Sequence, residues 1–198
     1  PAATTRVPDG ARVLEAAIVT PGLIDAHPAV GMAGILNQPH DQEQLDKTGP
    51  LQPELRAIDG YNPRDPLVEY VRSLGVTTIH TGHAPGALIS GQTMIVKTVT
   101  NNFESAILVK EAMVAATLGQ SATSGSDKPP GTSSKAIAML RAELLKATDY
   151  AKKRQKTDEE KRPARDLHLE ALTRIVEGKQ PLLITAHRHK DILGVLRL

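Results

Sequence analysis

Short apolar runs that end in polar residues or histidine alternate along this chain with segments of helical period. The first such run is Leu23-Ile24, introduced by Pro21-Gly22 and closed by Asp25-Ala26-His27. A proline-glycine pair punctuates a turn or strand entry, and a brief apolar run behind it reads as a buried strand. Residues two apart on a strand share a face, so Asp25 and His27 should project together from its C-terminal end. Upstream, Pro8-Asp9-Gly10 signals a turn and Val13-Leu14 one more short strand. Residues 75–82 set Val76, Thr77, Thr78 and Ile79 between glycines and predict a second strand. Between the two lies a helix over 65–74, with Asp65 as cap, Pro66 at the first helical position and Gly75 as stop. Strand, helix and strand in that order predict a parallel βαβ unit. A glycine-rich loop over 82–92 leads to a third strand at 93–99.

Further on, residues 104–118 carry Ala106, Ile107, Val109, Ala112, Met113 and Ala116 at spacings that predict a helix. A soft loop follows, and Ser133 or Ser134 caps a long helix from 135 to about 156 whose apolar face includes Ile137, Leu140, Leu144 and Ala147. The basic run 152–156 and the acids 158–160 read as a solvated helix end. Another helix covers 166–176, and Pro181-Leu182-Leu183-Ile184-Thr185-Ala186-His187 is a buried strand that again ends in histidine. A final helix starts near His189. Pro50, Pro53, Pro63 and Pro66 break up the stretch before the second strand and leave a short helical piece at 53–59. No internal repeat is present.

With 198 residues the chain can build one domain with a sizeable core, but a closed eight-stranded barrel takes about 250. It opens at Pro1 and stops inside a helical pattern, so it reads as a piece or processed segment of a longer protein. The absence of cysteine excludes disulfides, thiol chemistry and thiolate metal sites. There is no apolar run near 18 residues, which leaves a soluble chain, cytoplasmic or exported after removal of a signal. A net charge of +2 is too small to argue for nucleic acid or an anionic membrane. One phenylalanine, three tyrosines and no tryptophan leave the core to aliphatic residues and supply no base-stacking platform.

Val19-Thr20-Pro21-Gly22-Leu23-Ile24-Asp25-Ala26-His27 resembles the first barrel strand of the amidohydrolase superfamily, close to its imidazolonepropionase-like and aminoacylase-like members. The family text there, PG-[FL]-[IV]-D-x-H-x-H, ends in two metal-binding histidines; in this sequence the second one's place is held by Ala29. Thr81-Gly82, Gly91-Gln92 and Val96-Lys97-Thr98 are similar to the family's TGxG…GGQ…VKT run, and Ala186-His187-Arg188 to the text around its fifth-strand metal histidine. The resemblance implies an α/β fold, the N-terminal half of an incomplete (β/α)8 TIM-type barrel. The barrel would occupy 18–198 with a helical insertion at about 104–177, and residues 1–17 would be the remnant of a small β-domain. It also implies a divalent metal, zinc first, with His27 and His187 as ligands. The activity implied is hydrolysis of an amide-type C–N bond by a metal-activated water. The family's sixth-strand histidine and eighth-strand aspartate have no counterpart here, so no catalytic residue is assigned and the segment alone should not turn over. The partners implied are a small-molecule substrate and the missing C-terminal half of the barrel, with a homo-oligomer left open.

Read without the family, His27 and His187 end two strands at the same relative place, and in a parallel barrel such ends share one rim. Neutral imidazole suits zinc, manganese or iron. His189 makes an H-x-H spacing with His187 but reads as the exposed start of a helix, and Lys97 as an ordinary strand-end lysine. His83 and Gln92, on and after the glycine-rich loop, are placed to hydrogen-bond a substrate carbonyl or carboxylate. No G-x-S-x-G elbow supports serine hydrolase chemistry. Two other readings compete: a non-catalytic homologue that binds a ligand or partner, favoured by Ala29, and a purely structural α/β module, which requires His27 and His187 to be unrelated in space.

Overall fold

The computed structural model describes residues 6–99, 102–123, 129–156 and 158–198. Up to Pro21 the described chain is irregular and exposed, and the strand expected at Val13-Leu14 does not form. The first strand, β1, is Leu23–Asp25. After a long irregular loop come a single turn of helix, α1 (Ala57–Gly60), and α2 (Pro66–Ser73). The Asp65 carboxylate accepts from the Leu67 N–H at the start of α2, as the sequence pattern requires. Strands β2 (Val76–Gly82) and β3 (Ile89–Lys97) follow. Then come α3 (Phe103–Ala106), β4 (Ile107–Val109), β5 (Val114–Thr117) and the short α4 (Gln120–Thr123). The chain ends with α5 (Ser133–Arg154), α6 (Leu167–Val176), β6 (Leu182–Thr185) and α7 (His189–Val195).

The strands make one sheet in the order β1-β2-β3-β5-β6, with β4 also against β3. β1 and β2 are parallel, as expected, and so are β5 and β6. β3 runs antiparallel to β2, β4 and β5. This corrects the expected incomplete (β/α)8 TIM-type barrel, in which successive strands would be parallel with helices between them. The physical reason lies in the connection. Residues 83–88 join β2 to β3, and a parallel crossover needs roughly a dozen residues or more, whereas an antiparallel return needs only a few. What forms is a curled mixed sheet with the reversed β3 at its centre.

The helix expected over 104–118 is also corrected. Only α3 is helical there, and the rest becomes two strands on one edge of β3. Val114, Ala115 and Ala116 are fully buried between β3 and β6, and burial between two ladders overrides the local helical preference of alanine.

Two apolar clusters hold the sheet. One packs Val68 of α2 and Ala57 of α1 against Ile79, Met94 and Val96. The other packs Leu140 and Ala147 of α5 and Leu172 of α6 against Leu88, Ile89, Val114 and Ala116. A polar bridge reinforces the second: His168 on α6 lies 3.1 Å from both Glu54 and Glu143, tying α6 to α5 and to the loop before α1. Gly91 is a tight point in β3. Its φ is +136°, and a Cβ there would sit 2.4 Å from the His83 ring. Gly91→Ala should therefore destabilise by more than about 1 kcal/mol in urea unfolding. Gly131→Ala, where a Cβ would meet nothing within 4 Å, should be close to neutral.

Candidate functional site

Because β3 alone is reversed, the C-terminal ends of β1, β2, β5 and β6 and the N-terminal end of β3 lie along one edge of the sheet. His27, His83 and His187 all follow strands that end on this edge. In open and closed α/β sheets ligands gather at such carboxyl ends. Lys97 does not belong to it: the reversal of β3 sets it opposite Thr78, back along β2.

His27 is exposed, and its backbone N–H donates to Asp25 Oδ1 at 3.4 Å. Its ring lies 5.9 Å from that of His80, centroid to centroid, with the planes tilted by 43°. His80 is buried on β2, with Nδ1 2.9 Å from the Ala26 carbonyl oxygen and Nε2 2.6 Å from Thr93 Oγ1. Burial pushes the His80 pKa below the usual 6.5, the Ala26 carbonyl opposes the shift, and the neighbouring His27 adds to it.

His187 is exposed at the far edge of the sheet and lines a cavity of about 420 Å³ with Gly119, Gln120, Ser121, Arg188 and Asp191. Arg188 Nε donates to Asp191 at 2.7 Å and holds that carboxyl below the usual range. β2, β3 and β5 stand between the strands that carry His27 and His187. At about 4.8 Å per strand that is roughly 19 Å along the sheet.

His83 and Gln92 are both buried. Among the described residues no hydrogen bond of ordinary geometry reaches either His83 ring nitrogen. Burial lowers the His83 pKa, opposed by the Gln44 backbone and the Asp46 carboxylate. The Gln92 amide donates to the Pro53 carbonyl at 3.0 Å and accepts from Gln180 at 3.4 Å. The same residue borders a cavity of about 570 Å³ lined by the ion pairs Arg56–Asp59, Arg165–Glu170 and Arg174–Glu111.

A metal ion needs three or four donors within about 2.3 Å. Among the described residues no three His, Asp or Glu side chains come together in that way. His27 and His187 offer one imidazole each from opposite edges of the sheet, so this chain's residues do not by themselves fit a metal. Ala29, at the place of the second histidine, has its carbonyl taken by the Met32 and Ala33 N–H groups in a tight turn. Sequence reasoning assigned His80 no role. No sequence signal marked it, because its place one step past the Asp25–Ile79 pair is set by the register of β1 on β2.

No protein-family model matches this sequence, and no curated protein sequence does. The fold is similar to a crystal structure of an amidohydrolase from Thermotoga maritima MSB8, with a TM-score of 0.84 and 25% sequence identity. That similarity covers 97% of this chain and 53% of the other, so this chain spans about half the length of the protein it matches. Among the described residues no helix is long and apolar enough to cross a membrane.

The two buried histidines make stability depend on pH in a defined direction. Each has a folded pKa below its unfolded value of 6.5, so the unfolded chain takes up protons first as pH falls. Their contribution is complete above 6.5 and is lost as pH drops through the interval down to the folded values. Asp46, held down to about 2 from 3.8 chiefly by the Thr48 hydroxyl, adds a second loss on acidification below 3.8. The urea midpoint should fall as pH drops from about 6.5 to 5. His83→Gln should flatten that slope, and a midpoint that rises on acidification would contradict the burial of both rings.

Proposed function

We propose that this chain is the part of an amidohydrolase-type enzyme that carries its first strands. The whole protein would hydrolyse an amide-type C–N bond in a small linear or cyclic substrate. The observation that carries the reading is the joint agreement of fold and text. The chain superposes along 97% of its length on a structure named an amidohydrolase, and VTPGLIDAH forms β1 with His27 just beyond its C-terminal end.

In this reading the outer rows of β1 and β6, which have no ladder partner among the described residues, join the remaining portion of the protein, and that portion completes the sheet. A divalent metal in the completed protein, zinc by preference for neutral imidazole, would take His27 or His187 only together with donors from the remaining portion, because the two strand ends lie roughly 19 Å apart along the sheet. Such an ion supplies Lewis acidity and lowers the pKa of a bound water. This chain's own contribution is to hold His27 on the ligand-binding edge and to enclose His83 and Gln92 beneath it. No catalytic residue is assigned within it. A second reading, a catalytically inactive relative that binds a ligand or partner, is favoured by Ala29.

Metal analysis of the full-length protein separates the two. The hydrolase reading expects bound zinc or another divalent ion, and turnover of small amides that is abolished by chelation. His27→Ala should weaken metal binding by more than the roughly 10–100-fold that outer-shell changes cost. Absence of bound metal in the unmutated full-length protein would leave only the non-catalytic reading.

A further inference from the structure

We propose that His80 is the positioning residue that aims His27, acting as a neutral imidazole with its proton on Nδ1 and with Thr93 fixing that tautomer. The importance of His27 to a reaction rests on the function proposed above, but the geometry of its support does not.

Beyond its ladder to β2, the His27 N–H on Asp25 Oδ1 and the Thr81 hydroxyl on the Val30 carbonyl, little secures this end of β1. The strand is three residues long and wholly exposed, with Leu23 at 59% and Ile24 at 72% accessibility, so apolar packing contributes almost nothing to its placement. Its ladder to β2 ends at the Asp25–Ile79 pair. One residue further on, the His80 side chain takes over from the backbone and reaches the Ala26 carbonyl at 2.9 Å. This is the residue immediately before His27.

The hydrogen positions follow from the partners. A carbonyl oxygen only accepts, so His80 Nδ1 carries the hydrogen. In the neutral ring Nε2 is then a lone pair, and the Thr93 hydroxyl 2.6 Å away donates to it. Thr93 Oγ1 in turn accepts from the Met113 N–H at 3.1 Å. The hydroxyl has one hydrogen, so the 3.3 Å approach of the Met113 carbonyl goes unused while His80 is neutral. Donors thus point in one sense from Met113 through Thr93 and His80 to Ala26, across β3 and β2 to β1. Thr93 is completely buried and His80 nearly so, which removes water as a competing partner.

The test uses imidazole nitrogen resonances of the intact chain, which distinguish the two tautomers and the charged ring. At pH 7 His80 should show a protonated Nδ1 and an unprotonated Nε2. The opposite tautomer, or a doubly protonated ring, would overturn the proposal. Thr93→Val keeps the shape but removes the hydroxyl, and should mix the His80 tautomers. It should also lower the order parameter of the His27 amide from about 0.85 towards 0.6, the range of flexible backbone, while β2 and β3 amides stay unchanged. Thr93→Ser should restore both signals. An unchanged His27 order parameter in a folded Thr93→Val chain would reduce His80 to a core residue. If that variant does not fold, the tautomer of the unmutated chain and the Thr93→Ser response decide instead. A protein without metal or turnover but with this tautomer and this response would sink the hydrolase reading and leave the support of His27 intact.

Discussion

The direction of β3 is the constraint on which the sheet depends. β3 is the central strand, laddered to β2 on one edge and to β4 and β5 on the other. Its reversal follows from the short connection over 83–88, which returns the chain beside β2 without room for a crossover helix. With both edges of β3 occupied, the parallel pairs β1-β2 and β5-β6 are fixed on either side of it. The two apolar clusters then divide the work: α1 and α2 back the β2 side, and α5 and α6 back the β5 side.

That arrangement explains why the histidines share an edge and yet do not form one site. All the strands except β3 run one way, so His27, His83 and His187 come after strand ends on the same side. They enter very different surroundings there. His27 is in the open beside the buried His80, His83 is buried close to Gln44 and Asp46, and His187 borders its own cavity across the sheet. A common edge sets direction, whereas convergence depends on how far the sheet closes.

Much of the local structure was legible because its signals were chemical and short-range. Asp65-Pro66 and Gly75 bracket α2, and the β-branched run at 76–79 opens β2. Two features misled. Alanines and aliphatics at 106–116 imitate a helical face, and only their burial between β3 and β6 makes them strands. The resemblance to a barrel family suggested parallel succession, although the connection after Gly82 was too short for it. In the site, the prominence of His27 and His187 came from strand-end position, which sequence carries well. The role of His80 depends on a carbonyl 54 residues earlier, a pairing that exists only after β1 and β2 are in register.

The exposed strand β1 has a consequence for how the molecule behaves at high concentration. A strand with two bare aliphatic side chains and, among the described residues, no ladder partner on its outer row is a template on which another chain can add, the first step of intermolecular sheet growth. Natural sheets blunt such borders with brevity and charge, and both are present: β1 stops after three residues, and its last one is the carboxylate of Asp25. The strand that introduces His27 is therefore short enough to resist clumping even though its two aliphatic side chains are bare.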